Sequence, residues 1–186
     1  MPDVQATTLT QTERPIGDHG AIGNGRSVAL IASDGTLDWW CPGRFDSPSV
    51  FGAILDGERG GHLRLGPVVH ASSVMRYISD TNVLETVHTT TTGRVRVADF
   101  MPFPDDAGVE DACIIRRVEG LEGSVELAFS FSPRFQYVRV QPRLSQTPAG
   151  LRARGEGAIP PPTARASCPT ARATRRAATA AYVQVP

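Results

Sequence analysis

Lysine is absent from all 186 residues: the 19 basic side chains are all arginine, balanced by 19 acids to a formal charge of zero. That balance conceals a split. Residues 1–144 hold 13 arginines and 18 acids and carry −5, whereas residues 145–186 hold six arginines and one acid, Glu156, and carry +5. An acidic body lacks the clustered positive charge from which nucleic-acid binding draws its affinity, so nucleic acid is not an expected partner. Cysteine is scarce. Cys41, Cys113 and Cys168 are odd in number and show no CxxC spacing, which argues against a disulfide framework or a structural zinc site. His19, His62, His70 and His88 form no HExxH or HxH pattern, and no metal or other cofactor is expected. No apolar run approaches the ~18–20 residues of a membrane helix, and the first fifteen residues hold no apolar signal core. No membrane partner is expected, and the expected address is the cytoplasm. A GxSxG nucleophile elbow is also missing.

What the chain does contain is a series of short apolar runs separated by turn residues. Residues 1–14 are polar and read as a flexible arm. The glycine-rich stretch Gly17–Gly25 has neither GxGxxG nor GxxxxGK[ST] spacing, so it reads as turns and not as a phosphate loop. Ser27 to Ala32 and Leu37 to Cys41 flank Ser33-Asp34-Gly35-Thr36, and Asp-Gly between apolar runs signals a hairpin. Pro42 to Pro48 is a loop, and Ser49 to Leu55 reads as one helical turn or a short strand. Further strands are expected at His62–Leu65, Met75–Ile78, Val83–Thr90, Arg94–Phe100, Cys113–Glu119 and Ser124–Phe131, with turns at Asp56–Gly61, Thr92-Gly93 and Leu121–Gly123. In the last strand Val125, Leu127, Phe129 and Phe131 share one face. Cys113 reads as a core thiol. Many short strands without helical periodicity point to an all-β antiparallel sandwich.

Composition changes near Leu144. Residues 145–186 contain eleven alanines, six arginines and six prolines but only five large apolar residues. Such a segment reads as a disordered Ala/Arg/Pro-rich tail, non-native or frame-shifted in origin. Three segments follow: an arm over 1–14, a sandwich over 15–144 and a tail over 145–186.

Six blocks occur in order: PIGDHGAIGNGRSVALIASDGTLDWWC (Pro15–Cys41), GRFDSPSVFGAILD (Gly43–Asp56), Gly60–Leu65, RYISDTNVLETV (Arg76–Val87), GRVRVADFMP (Gly93–Pro102) and SPRFQYVRVQP (Ser132–Pro142). Together they resemble the amino-terminal, trehalase-like domain of glycoside hydrolase family 15. The resemblance implies a supersandwich-like fold, incomplete at its C-terminal end. It also implies that whole enzymes add a barrel of paired helices, where two glutamates hydrolyse α-glucosides such as trehalose with inversion. Nothing after Leu144 resembles that barrel, so the chain is expected to be an inactive accessory domain with no catalytic residue of its own. A self-sufficient carbohydrate-binding module and a truncated product without function are the alternatives. An uncovered sandwich face would favour self-association. The family pattern RFDYG appears here as Arg134-Phe135-Gln136-Tyr137-Val138, with Gln and Val in place of Asp and Gly.

The cluster richest in chemistry is Asp38, Trp39, Trp40, Arg44 and Asp46. Aromatic faces stack on sugar rings, and carboxylate and guanidinium groups pair with hydroxyls, so substrate contact or contact with a neighbouring domain is the expected role. The plainer expectation is structural: Trp39 and Trp40 face opposite sides of a strand, and Arg44 and Asp46 bind one another. Neither Asp38 with Asp46 nor Asp105 with Asp106 is expected to be an acid–base pair; the latter two are adjacent, so their carboxylates diverge, and they lie in a Pro-rich loop.

Overall fold

The computed structural model describes residues 14–103, 112–157, 161–168, 172–174 and 178–185. The Asp105-Asp106 pair lies outside them, as does all of the expected arm except Arg14. Early in the chain β1 (His19–Gly23), β2 (Val28–Ala32), β3 (Thr36–Trp40) and β4 (His62–Pro67) form consecutive antiparallel pairs. A second run consists of β5 (Ser72–Tyr77), β6 (Leu84–Thr89) and β7 (Gly93–Phe100). Both runs meet on β8, a strand of 21 residues from Ala112 to Ser132.

β8 belongs to two sheets. Its C-terminal part, Leu127–Ser132, pairs with β4 and completes the first sheet. Its N-terminal part pairs with β7 on one side and with β13 (Ala178–Val185) on the other. Beyond β13 come β11 (Thr163–Ser167), β10 (Gly150–Gly155) and β9 (Pro142–Thr147), while β12 (Arg172–Thr174) pairs with Ser124–Glu126. The result is an open antiparallel β-sandwich, as the residue pattern implied, and no α-helix occurs among the described residues.

Leu121–Gly123, expected to turn the chain, instead forms a bulge within β8. Val95 opposes Gly120 and Arg94 opposes Glu122, which leaves Leu121 as the extra residue, and Gly123 has φ +57°. The insertion reverses the parity of the strand. Ile114, Arg116 and Val118 point inward before it, and Val125, Leu127 and Phe131 point inward after it. Cys113 therefore stands on the outer face and is only half-buried, not a core thiol.

The segment after Leu144 departs most from expectation, because β9 to β13 occupy much of it. Its Ala-Arg alternation is a strand pattern with an unusually small inward residue. Arg152, Arg154 and Arg165 are exposed, whereas Ala153, Ala164 and Ala166 are buried in one cluster with Phe131, Phe135 and Val140. Alanine loses no side-chain entropy on ordering, and its size suits a layer whose opposing aromatics fill the space.

The expected Asp34-Gly35 hairpin forms. Gly35 has φ +84°, and a Cβ there would lie 2.2 Å from the Leu65 carbonyl oxygen. Gly20, read as a turn residue, sits instead inside β1, where a Cβ would lie 2.5 Å from Leu84 Cδ2 on β6. Its small size lets the two layers approach. Between the layers, Arg116 donates to both Asp99 oxygens (2.7 and 3.2 Å) and to the Gly35 carbonyl (2.8 Å). Outside, Glu85 accepts from Arg76 (2.6 Å) and Arg96 (3.0 Å), and Arg96 reaches Glu119 (2.9 Å), lacing β5 to β8.

Candidate functional site

The predicted cluster lies where β3 runs into the loop after Trp40. Cys41 leads into Pro42 and Gly43, and the chain folds back so that Trp40 N–H donates to Phe51 O (3.1 Å) and Val50 N–H donates to Trp40 O (2.9 Å). Ser49 to Leu55 thus bridges to β3 at Phe51 and then makes one turn, in which Leu55 N–H donates to Gly52 O (3.0 Å). The first predicted residue, Asp38, is the unmatched residue of a bulge: Leu30 opposes Trp39 and Ile31 opposes Leu37. Bulges re-aim side chains, and the Asp38 carboxylate is turned into the interior, 3% exposed. Its Oδ2 lies 2.8 Å from His19 Nε2, and His19 Nδ1 lies 3.1 Å from the Pro15 carbonyl oxygen. Burial raises the Asp38 pKa, opposed by His19 and by the charge of Arg14. Its Oδ1 is buried without a hydrogen-bond partner among the described residues.

The tryptophans divide as period 2 requires. Trp40 is fully buried, stacks on Phe51 (6.4 Å between centroids, 21° between planes) and donates from Nε1 to Ser27 Oγ (3.1 Å). Trp39 is half-buried, and its ring lies 6.2 Å from that of Tyr137 at 43°. Arg44 donates to both oxygens of Asp46 (2.9 and 3.3 Å) in the exposed loop, which holds the Asp46 carboxyl below the usual carboxylate range. Each candidate carboxylate is therefore already engaged within the chain, and Trp39 is the member of the cluster with an aromatic face toward the surface.

Sequence reasoning did not place Tyr137 here. The residue that joins the two loops is Ser49, 1% exposed: its carbonyl accepts from Gln136 N–H (2.9 Å) and its hydroxyl from Tyr137 N–H (3.1 Å). Arg134 N–H adds a bond to Val50 O (2.9 Å). Gln136, Tyr137 and Val138 have φ of +53°, +55° and +71°, a left-handed run that L-residues adopt at a cost. The Tyr137 hydroxyl lies 3.9 Å from Cys41 Sγ, and burial pushes the Cys41 thiol pKa up. Beside this junction is a cavity of about 460 Å³, whose walls include Pro42, Ser47, Pro48, Phe135 and Gln136. Phe45, 78% exposed, lies in the loop between Pro42 and Pro48, and Tyr137, 49% exposed, follows Gln136. The arrangement offers apolar and aromatic surface with hydrogen-bonding groups at its rim, and it suits docking better than proton transfer.

No group of three or more His, Cys, Asp or Glu side chains converges as a metal site among the described residues. No helix among them is long and apolar enough to cross a membrane.

Comparison with known proteins agrees with this architecture. Residues 7–167 match the family described as trehalase-like, N-terminal. The chain is 37% identical over 157 residues to a trehalase of Mycolicibacterium smegmatis, covering 75% of this chain and 23% of that protein. It is 34% identical over 142 residues to a trehalase of Mycobacterium tuberculosis (68% of this chain, 21% of that protein). It is 32% identical over 137 residues to a trehalase of Thermoplasma volcanium (72% and 22%). The chain thus spans less than a quarter of the length of these relatives, and the matched region runs beyond Leu144 through β9, β10 and β11. With the order of its blocks, the two-sheet architecture and a match over most of its length in agreement, the chain belongs to the trehalase-like N-terminal domain family.

Proposed function

We propose that this chain is the accessory sandwich of a trehalose-hydrolysing enzyme of the family 15 type, and that it has no hydrolytic activity alone. The observation that carries the reading is the match to trehalases over most of this chain and less than a quarter of theirs. In the whole enzyme an inverting pair of carboxylates, one protonating the leaving oxygen and one activating water, belongs to the helical barrel and not to the sandwich. The internal engagement of Asp38 with His19 and of Asp46 with Arg44 supports that division. Trp39, Phe45, Tyr137 and the Arg44–Asp46 loop then form the surface against which the barrel rests. Aromatic and arginine side chains are the types enriched at such contacts.

The test is glucose release from trehalose by the purified 186-residue chain. Activity at the level of the blank is expected. Activity above it that disappears in Asp38→Asn or Asp46→Asn would overturn the reading.

A second reading, a carbohydrate-binding module, is favoured by one observation, the partly exposed Trp39–Tyr137 pair. Calorimetric titration with trehalose and maltooligosaccharides separates the two. The accessory reading predicts no saturable heat, and the module reading predicts binding that Trp39→Ala abolishes.

A further inference from the structure

Four described strands, β1, β5, β9 and the three-residue β12, have a single partner, and the three longer ones end differently. The edge of β1 is capped: Tyr77 Oη accepts from Ala21 N–H (2.9 Å) and donates to Ala21 O (2.8 Å), and Asn82 Nδ2 donates to Gly23 O. The edge strand β5 carries Arg76, already paired with Glu85. Strand β9 pairs with β10 alone, and no described strand lies along its other edge.

The two faces of that open edge differ in chemistry. On the outer face Arg143 stands directly opposite Arg154, and Ser145 opposite Arg152, which is itself opposite Arg165 on β11. Directly opposed like charges on antiparallel strands destabilise the sheet. Among the described residues Glu156 is the one acid lining this face, and it is bound to Arg143 (2.7 Å). Among the described residues no carboxylate lies within ion-pair distance of Arg152 or Arg154. The guanidinium groups border an open cavity of about 630 Å³, where Gly155, Gly157 and Pro161 leave room. On the inner face of the same strand, Leu144 is opposite the fully buried Ala153 yet remains 49% exposed.

We propose that β9 is an addition edge: an extended acidic segment, with Asp or Glu alternating with apolar residues, joins the sheet along Pro142–Thr147 and sets its carboxylates among Arg143, Arg152 and Arg154. Side chains on a strand alternate between faces, so one added strand delivers acids to the arginine side and an apolar cover to Leu144. β10 would lie two strand spacings, roughly 10 Å, from the newcomer, within the joint reach of extended arginine and glutamate side chains. Main-chain hydrogen bonds supply affinity and the two faces supply selectivity, as in other strand additions. Pro142 lacks an N–H, which confines pairing to the rest of β9. The proposal does not depend on the hydrolase assignment.

The experiment uses the full chain and a fluorescent, acetylated seven-residue peptide alternating glutamate with valine. A peptide of the same composition with its glutamates grouped together and tripolyphosphate serve as competitors. Saturable anisotropy is expected, weakening about tenfold or more between low and high salt. Slower amide hydrogen exchange is expected in β9 and not in β5. Arg152→Gln/Arg154→Gln, on an exposed face where like charges oppose, should keep or raise the melting temperature and weaken binding at least tenfold. No binding, equal binding of the grouped peptide, competition by tripolyphosphate without the grouped peptide being rejected, or binding without protection of β9 would each overturn the proposal. So would a chain whose β9 edge is already protected by self-association in the absence of peptide.

Discussion

Arg116 and Asp99 form a two-pronged ion pair between the layers, with side chains each 1% exposed. Two charges removed from water are tolerated there because each satisfies the other and Arg116 also bonds to the Gly35 carbonyl, tying β8 to the β2–β3 hairpin. Removing one partner strands the other. Arg116→Met should cost about 3–5 kcal/mol in urea unfolding, and adding Asp99→Leu should recover most of it. Equal losses in the single and double variants would show that the pair does not act as a unit.

Val138 holds φ +71°, in the left-handed region that favours glycine. A β-branched residue is strained in that region, and glycine is not. Val138→Gly should raise stability by about 1 kcal/mol, the left-handed penalty less the added freedom of the unfolded chain. Differential scanning calorimetry is the measurement, and a lowered melting temperature would refute the assignment of strain.

His88 is fully buried on β6, bonded through Nδ1 to Ser73 Oγ (2.8 Å), with no partner for Nε2 among the described residues. Burial first, then the charge of Arg116, brings its pKa down to about 4, with Asp34 opposing and Arg64 adding. The unfolded chain therefore binds a proton between pH 6.5 and 4 that the folded chain refuses. Stability from this group is complete above pH 6.5 and is lost as pH falls toward 4, by about 3 kcal/mol. The lowered pKa of His62 acts in the same direction. The raised pKa of Asp38 acts oppositely, favouring the fold below its ordinary value and losing that contribution as pH rises. His88→Gln should remove most of the slope in unfolding free energy between pH 4 and 6.5. An unchanged slope would place the acid sensitivity elsewhere.

Ser49→Ala should unfasten the two loops, since it takes away the acceptor of Tyr137 N–H. A cost of about 1–3 kcal/mol is expected. Trp39, whose ring faces Tyr137, should shift its emission to longer wavelength while Trp40 stays in the core. If emission does not move, Ser49 does not hold the aromatic pair.

Ending the chain at Leu144 would delete β10 to β13 and uncover Ile114, Phe131 and Val118. That shortened chain should bind a hydrophobic dye and lose its cooperative thermal transition. A sharp transition at the original temperature would restore the view of residues 145–186 as an appendage.

Much of the first sheet could be read from the residues. The Asp34-Gly35 turn, the alternation from Val125 to Phe131 and the opposed tryptophans follow from backbone preference and period 2, which are local properties. The strands of the last forty residues escaped because apolar content was weighed by size. Ala153, Ala164 and Ala166 carry the inward pattern, but their fitness depends on Phe131 and Phe135 across the core, which composition cannot reveal. The bulge at Leu121 looked like a turn because Glu-Gly is turn chemistry, and only the pairing partners on β7 distinguish the two. At the site, Arg44–Asp46 and Trp40 were legible as local contacts. The bond from Tyr137 to Ser49 joins loops far apart in sequence and leaves no local signature.

Because β8 borders β4 along one half and both β7 and β13 along the other, neither sheet can be completed without it, and half of that frame awaits β13, a strand distant from it in sequence. A nascent chain emerging in order must hold Ile114 and its neighbours uncovered until Val185 has been added. Closure of that half thus waits on a pairing between strands distant in sequence, and it should be slow, with an interval in which exposed apolar surface favours chaperone binding.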